Sequence, residues 1–141
     1  METSTGYLLV KFGGAAGGYF DRSLQSLGIR PRHVRVLEKI RTDTLSQQDL
    51  CRLTGMDRTT MVAVVDDLER LGYARRVPSP TDRRKRVVTP TESGLVALSE
   101  SETLLRKAEA ALLSPLSATE QKQLNDLVSR LATPDLLACL P

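Results

Sequence analysis

The sequence predicts a mainly α-helical protein with one small β-hairpin, and three observations support this fold class. Apolar residues recur at intervals of three and four over most of the chain. Several of these segments begin with Ser, Thr or Asp, which accept hydrogen bonds from the free amides of a first helical turn. The helical spacing stops at Pro78-Ser79-Pro80, where the prolines prevent a helix and favour a turn between two strands.

The first predicted helix runs from Tyr7 to Leu27 and is interrupted by the run Gly13 to Gly18, whose glycines are poor helix formers. Two interpretations of this run fit equally well. It is either a weak or kinked helix, or a helix whose small side chains let another helix or a ligand approach its backbone. Gly28 is expected to end the helix, and Pro31 fits the first turn of the next. The apolar face of that second helix contains Val34, Leu37 and Ile40.

Residues 46–72 predict two short helices joined by a tight turn. Ser46 is a suitable N-cap with Asp49 three positions later, and the helix from Gln47 to Leu53 is expected to bury Leu50 and Leu53. Thr54-Gly55-Met56 forms the turn, and Asp57 caps the second helix. The inward face of the second helix contains Met61, Val64, Val65, Leu68 and Leu71, and Gly72 ends it.

The strands of the hairpin are predicted at Ala74 to Val77 and at Arg86 to Val88. Thr91 or a neighbour then caps a long helix that ends near Leu113, and a capping box from Ser117 to Glu120 opens a last helix. Its apolar side contains Leu124, Leu127, Val128 and Leu131. The apolar tail Leu136, Leu137, Cys139 and Leu140 requires a covering surface, which a symmetric dimer through the terminal helices would provide.

The positive charge of the chain is concentrated in the hairpin. From Tyr73 to Thr91 there are six basic residues and one acidic residue, a formal charge of +5, whereas the whole chain of 141 residues carries only +3. The remaining residues therefore sum to −2. A solvated turn is the alternative explanation, but a localised cationic patch directly after a helix-turn-helix pattern is typical of phosphate binding.

Composition argues against several other classes of protein. The chain has the length of a single domain, and no apolar stretch reaches the roughly 20 residues that span a bilayer. Its start lacks the features of a signal peptide, so a cytoplasmic protein is expected. Cys51 and Cys139 are far apart and there is one histidine, so neither a disulfide framework nor a metal site is predicted. No catalytic constellation and no cofactor motif is present, so an enzyme is not expected.

A helix-turn-helix reads DNA with the start of its second helix. Arg58 is suited to guanine or phosphate, Thr59 and Thr60 to phosphate or base edges, and Val62 and Ala63 to a thymine methyl, although Val62 also fits ordinary packing. The arginines of the hairpin at residues 73–91, which is called the wing, would follow the flanking DNA backbone into the minor groove. Asp82 is expected to orient Arg84. The full set of predicted DNA contacts is Ser46, Gln47, Arg58, Thr59, Thr60, Val62, Ala63, Arg75, Arg83, Arg84, Lys85 and Arg86.

The sequence resembles the MarR (multiple antibiotic resistance) family of transcriptional regulators over roughly residues 5–132. The segments that carry the resemblance are Leu45 to Leu50, Asp57 to Gly72, Arg75-Arg76, Asp82 to Arg84, and Thr91 to Gly94. The recognition helix, the Asp-x-Arg wing and the Thr-x-x-Gly start of the long helix are specific in combination.

The resemblance implies a winged helix-turn-helix homodimer that binds a pseudo-palindromic operator in double-stranded DNA and often represses transcription. We expect one domain over residues 1–141, with a DNA-binding lobe at 31–91 and dimerisation helices at 5–28 and 92–141. Release of DNA by a small aromatic or phenolic effector is also implied. The residues expected to line the effector cleft are Tyr19, Phe20, Arg32 and His33, although a surface or capping role is favoured for His33.

Several residues depart from the family pattern. Val62, Ala63 and Asp67 stand where members commonly carry polar or basic side chains, so the wing is expected to supply more of the affinity. Pro90 replaces a common leucine between the wing and the long helix. Cys51 is interpreted as a buried structural thiol. Two alternatives are a winged-helix module that binds an acidic protein, and a redox-responsive regulator that uses Cys139.

Overall fold

The computed structural model describes residues 3–133, in which the helices and the hairpin follow one another in the predicted order. The predicted fold class, mainly α-helical with a two-stranded antiparallel hairpin, is confirmed. Within this range no helix is both long and apolar enough to cross a bilayer. The elements are α1 (Thr5–Ser23), a short 3-10 helix (Gln25–Leu27), α2 (Pro31–Thr42), α3 (Gln47–Thr54), α4 (Arg58–Arg70), β1 (Ala74–Pro78), β2 (Arg86–Pro90), α5 (Glu92–Leu112) and α6 (Ala118–Leu131).

Helix α1 continues through the run Gly13 to Gly18, so the glycines do not end it. A Cβ atom added at Gly13, Gly14 or Gly17 would have no described neighbour within 4 Å. Close approach of another molecule to this run therefore stays a prediction. Gly28 ends the 3-10 helix with a positive φ of 70°, a conformation that glycine adopts at little cost.

The two helices of the central motif begin at the predicted caps. The Ser46 side chain accepts the Asp49 backbone N–H at 3.1 Å, and the Asp49 carboxylate accepts the Ser46 N–H at 3.0 Å. Asp57 accepts the Thr60 N–H at 2.7 Å at the start of α4. The expected burial of Leu53 is wrong, because its side chain is 53% exposed. Only Leu50 of that pair points into the core, since α3 is too short to bury more than one narrow side.

The core lies between α2, α3, α4 and the hairpin. Fully buried Met61 and Leu68 of α4 pack with residues of α2 and with Leu50 of α3, and each contributes about 1.5–3 kcal/mol by burial. Leu71 is only partly buried at the rim of this core. The buried apolar residues that form it are Leu24, Ile29, Val34, Val36, Leu37, Ile40, Leu50, Met61, Val64, Val65, Leu68, Ala74, Val88 and Leu98.

The hairpin pairs β1 with β2 in a register that runs from Ala74 opposite Pro90 to Pro78 opposite Arg86. Pro90 therefore forms the last pair of the hairpin and leaves β2 continuous up to the long helix. A third partner was not predicted for the hairpin, yet the Val88 N–H donates to the Leu45 carbonyl at 2.8 Å. This bond ties the wing to the residues that precede α3.

The start of α5 is packed directly on the backbone that follows α4. Thr91 N–H donates to the Tyr73 carbonyl at 3.0 Å, and the Thr91 hydroxyl donates to the Gly72 carbonyl at 2.5 Å while accepting the Gly94 N–H. A Cβ atom at Gly94 would overlap the Tyr73 carbonyl oxygen. In the predicted Thr-x-x-Gly motif, Thr91 thus caps α5, and Gly94 lies where α5 comes closest to the Tyr73 backbone.

The described residues fall into two compact units that divide after Ala108, within α5. In the second unit, Ser117 and Glu120 form the predicted capping box at the start of α6. The Gln121 side-chain amide donates to the Leu113 and Leu116 carbonyls, both at 3.0 Å, which closes the turn between α5 and α6. The predicted apolar tail from Leu136 to Leu140 lies outside the described residues.

We predict that Gly94→Ala destabilises the fold, even though alanine normally favours a helix. The new methyl group must displace the Tyr73 carbonyl, and overpacking of this kind costs roughly 1–3 kcal/mol. Thermal or urea unfolding measures the loss. Ser93→Ala, at the exposed neighbouring position, is the control and should change the stability by less than about 0.5 kcal/mol. Equal stability of Gly94→Ala and the parent chain would contradict the assigned close contact.

Candidate nucleic-acid interface

The tip of the wing is an ordered turn that exposes its cations. The Asp82 carboxylate accepts the Arg84 backbone N–H at 3.1 Å, and the Lys85 N–H donates to the Asp82 carbonyl at 2.9 Å. The Arg84 Nε also lies 3.4 Å from the same carboxylate, which matches the predicted pairing of Asp82 with Arg84. The Arg84 side chain remains 93% exposed. Asp82 therefore shapes the turn and leaves the guanidinium available to a ligand.

Four other predicted wing contacts, Arg75, Arg83, Lys85 and Arg86, are also exposed. Arg86 makes one long hydrogen bond, from its Nη1 to the Arg76 carbonyl at 3.4 Å. The wing thus presents five exposed cations, a density of positive charge suited to the phosphates of a nucleic acid.

The start of α4 offers an exposed surface with one cation, Arg58, at the positive end of the helix dipole. Arg58, Thr59 and Ala63 are exposed, whereas Val62 is half-buried, so packing accounts for part of its side chain. The Thr60 hydroxyl donates to the Asp57 carboxylate at 3.1 Å. Hydrogen bonds from Thr60, chiefly from its backbone N–H, hold the pKa of Asp57 below its ordinary value. Because the Asp57 carboxylate engages Thr60, the exposed side chains that remain available at the start of α4 are those of Arg58, Thr59 and Ala63.

Ser46 and Gln47, at the start of α3, are both half-buried and already bonded within the chain. The Ser46 hydroxyl donates to the Asp49 carboxylate at 2.8 Å. The backbone hydrogen bond from Ser46 is the main reason that the pKa of Asp49 is lowered. The Gln47 side-chain oxygen accepts a hydrogen bond of 2.6 Å from Arg76 Nε. Any contact of these two residues with DNA must therefore use their remaining polar atoms or their backbone.

Arg76 belongs to the basic segment of the sequence, but the structure places its side chain inside the helix-turn-helix motif. Its side chain is 22% exposed and forms ion pairs with Asp66 at 2.7 Å and with Glu69. Its charge is thereby neutralised by α4 and is not part of the exposed patch. The sequence could have suggested this arrangement, because α4 carries three acidic residues that require cationic partners.

His33 is buried and bonded through both ring nitrogens. Its Nδ1 accepts the Arg30 backbone N–H at 3.0 Å, so Nε2 carries the proton and donates to the Asp67 carboxylate at 3.0 Å. The interpretation of His33 as a capping residue is confirmed, but it is not at the surface, since it is only 3% exposed. The hydrogen bond from His33 is the largest cause of the lowered pKa of Asp67, and the hydrogen bond from Arg70 lowers this pKa further.

The other residues predicted for an effector cleft are distributed over α1 and α2. Tyr19 and Phe20 are half-buried, Arg32 is exposed, and the Arg22 guanidinium lies 5.9 Å from the centre of the Tyr19 ring. Two clefts lie near these elements. One of about 350 Å³ is lined by Asp21, Arg22, Gln25, Gly28, Ile29 and Arg30. Another of about 400 Å³ is lined by Leu27, Tyr73, Glu92, Ser93, Val96, Ala97 and Glu100. None of the four residues predicted for the effector cleft lines either of these two clefts.

Of the two cysteines, only Cys51 lies in the described part of the chain. It is partly buried and packs against the core, as expected for a structural thiol. Cys139, on which the redox alternative depends, lies outside the described residues.

Comparisons with known proteins support the geometry of this motif. Residues 27–85 match the sequence profile of the MarR family. A probable transcriptional regulator from Pseudomonas aeruginosa is 28% identical with a TM-score of 0.81, and the alignment covers 92% of this chain and 98% of that chain. CouR from Rhodococcus jostii, bound to p-coumaroyl-CoA, is 26% identical with a TM-score of 0.77, and 94% of each chain is covered.

A third structure has the same fold and contains DNA. It is a MarR variant from Escherichia coli complexed with operator DNA, 22% identical to this chain, with a TM-score of 0.78 and coverage of 91% of this chain and 93% of that chain. At this identity the likeness shows the fold alone. Together, the profile match and the structural matches confirm the predicted resemblance and the winged-helix fold.

We predict that Asp67→Asn lowers the free energy of unfolding near neutral pH and that its deficit shrinks in acid. The folded-state pKa of Asp67 lies below the ordinary value of 3.8, so the charged carboxylate stabilises the fold above that pH. This stabilisation is lost as the pH falls through the lowered folded-state pKa. Chemical unfolding at a series of pH values measures the difference between the variant and the parent chain.

Arg70→Gln is the control for this measurement, because it removes only the weaker of the two partners of Asp67. It should retain most of the acid-dependent stability. A deficit of Asp67→Asn that stays constant down to the acid limit would contradict the role of the His33–Asp67 bond.

Proposed function

We propose that this chain, whose residues 27–85 match the MarR family of winged helix-turn-helix regulators, is a homodimeric, sequence-specific repressor that binds double-stranded DNA. The observation that carries the proposal is the exposure of five wing cations together with exposed side chains at the start of α4, within one winged helix-turn-helix. The wing supplies sequence-independent attraction to phosphates, and α4 supplies side chains that fit a major groove. The MarR variant from Escherichia coli was solved with operator DNA, so the shared fold is compatible with this assignment.

A homodimer is proposed because α1 exposes an unusual amount of apolar surface. Five large side chains along its first half are exposed to solvent in the single chain, and Val10 is the most exposed at 78%. Monomeric proteins rarely leave so many large apolar side chains open on one short segment, whereas a self-complementary dimer buries them. Leu127, Val128 and Leu131 give α6 a second exposed apolar side that suits the same role.

Release of DNA by a small aromatic effector is the remaining part of the proposal. CouR, which shares the fold, was solved with p-coumaroyl-CoA, a phenolic thioester. Tyr19, Phe20 and Arg32 stay proposed contacts for the effector, whereas His33 offers it no free ring nitrogen. Competition between phenolic acids or their thioesters and a bound duplex, followed by fluorescence anisotropy, tests this part.

Selection of bound fragments from random duplex DNA tests the main proposal. A palindromic motif with half-sites about one helical turn apart is expected, because a two-fold dimer presents two equivalent wings and recognition helices. Recovery of unrelated sequences without a common motif would overturn sequence-specific binding. Such a result would favour the alternative of a protein-binding module.

We predict that Arg84→Ala weakens binding to the selected duplex and flattens its salt dependence. Each lost phosphate contact removes about 0.9 from the slope of log K against log salt concentration. Titration at several salt concentrations measures the slope. Arg106→Ala, which removes an exposed arginine on α5 outside the wing, is the control and should leave the slope unchanged. An unaltered slope in Arg84→Ala would show that the wing tip does not contact phosphate.

We predict that Arg58→Ala changes the sequence preference as well as the affinity. Arg58 is exposed in the first turn of α4, and a bidentate contact with guanine discriminates against other bases by about 1–3 kcal/mol. Repeating the duplex selection with the variant should relax the motif at one position in each half-site. Equal losses of affinity on the selected and on a random duplex would show that Arg58 contacts only the backbone.

A further inference from the structure

Arg76 connects four separate parts of the proposed DNA-binding lobe. Its guanidinium pairs with Asp66 and Glu69 of α4 and donates from Nε to the Gln47 side chain of α3. Its backbone N–H donates to Glu69 at 2.8 Å, and its carbonyl accepts from Arg86 of β2 at 3.4 Å. A single residue of β1 thus contacts both helices of the motif and the opposite strand of the wing.

The bond from Arg76 determines which end of the Gln47 amide is free. A guanidinium has five N–H donors and no acceptor, so only the Gln47 oxygen can face it. The Gln47 NH₂ group then points away from Arg76 and has no protein acceptor among the described residues. At the half-buried start of α3, this group is restricted to donating, which suits a phosphate oxygen or an acceptor on a base edge.

Arg76 also neutralises the acidic side of the recognition helix. Helix α4 contains two basic and three acidic residues, so its side chains sum to −1. The Asp66 side chain is 60% exposed, and an unpaired carboxylate there would repel an approaching phosphate backbone. The guanidinium, 2.7 Å from Asp66, offsets this charge without occupying the exposed surface of the helix.

We propose that Arg76 is a positioning residue for DNA binding. It contacts no phosphate, but it fixes the wing relative to α3 and α4, orients the Gln47 NH₂ group as a donor to DNA, and screens Asp66 and Glu69. This inference rests on the proposed function, because it assigns a role within the same DNA-binding surface.

Arg76→Gln tests the role against Arg75→Gln, its exposed neighbour on β1. Arg76→Gln is expected to bind the selected duplex roughly tenfold more weakly, which is the loss typical of one misplaced hydrogen bond to a base edge. Its preference for that duplex over random DNA should fall, while its salt slope should stay unchanged. Arg75→Gln should instead lose about 0.9 from the slope and keep its preference, because it removes a phosphate contact.

Two further variants test the mechanism without removing Arg76. Gln47→Glu keeps an acceptor for Arg76 but replaces the NH₂ donor with an oxygen, so it should weaken DNA binding at an unchanged Tm. Gln48→Glu, which makes the same change of charge at the exposed next position, should weaken binding less. Asp66→Asn added to Arg76→Gln should restore part of the lost affinity, because the uncompensated carboxylate is removed.

The outcomes separate this inference from the proposed function. Binding of the parent chain to the selected duplex no better than to random DNA would overturn the proposed function itself. With the parent chain selective, an unchanged preference of Arg76→Gln, or a drop of its salt slope equal to that of Arg75→Gln, would overturn the positioning role. If Arg76→Gln does not fold, equal binding by Gln47→Glu and Gln48→Glu would overturn it.

Discussion

The close packing of α5 on the backbone between α4 and β1 is the constraint on which the arrangement of the whole motif depends. Gly94 leaves room for the Tyr73 carbonyl, and Thr91 satisfies both that carbonyl and the Gly72 carbonyl. The Tyr73 hydroxyl in turn donates to the Leu27 carbonyl at 3.1 Å, just before Gly28. The end of α4, the start of β1 and the start of α5 therefore share one rigid junction.

From this junction the charges of the chain are sorted into internal and external sets. Arg76 and His33 are bonded to carboxylates of α4, and these bonds fasten the helix to β1 and to α2. The wing cations have far fewer partners and extend from the turn that Asp82 shapes. Arginine is thus structural at Arg76, where the fold brings acidic residues near it, and is available to a ligand at the exposed wing tip.

Much of the fold follows from local signals in the sequence. Ser46, Asp57 and Ser117 are caps because their side chains satisfy amides within the same turn, an interaction that needs no tertiary contact. The hairpin is equally local, since Pro78 and Pro80 exclude a helix and its strands are adjacent in the chain. The prediction that Leu53 is buried is wrong, because a helix of eight residues turns too few side chains inward for periodicity alone to identify the buried ones.

The order of the elements, the helix caps and the concentration of positive charge in the wing can all be predicted from the sequence, because each depends on neighbours in the chain. Which of the basic side chains are paired with acids depends instead on the tertiary structure. Arg76 meets Gln47 from 29 positions away, and His33 meets Asp67 from 34 positions away. Such pairings depend on how the helices pack around the core, and spacing along the chain carries no information about distances between elements that are remote in sequence.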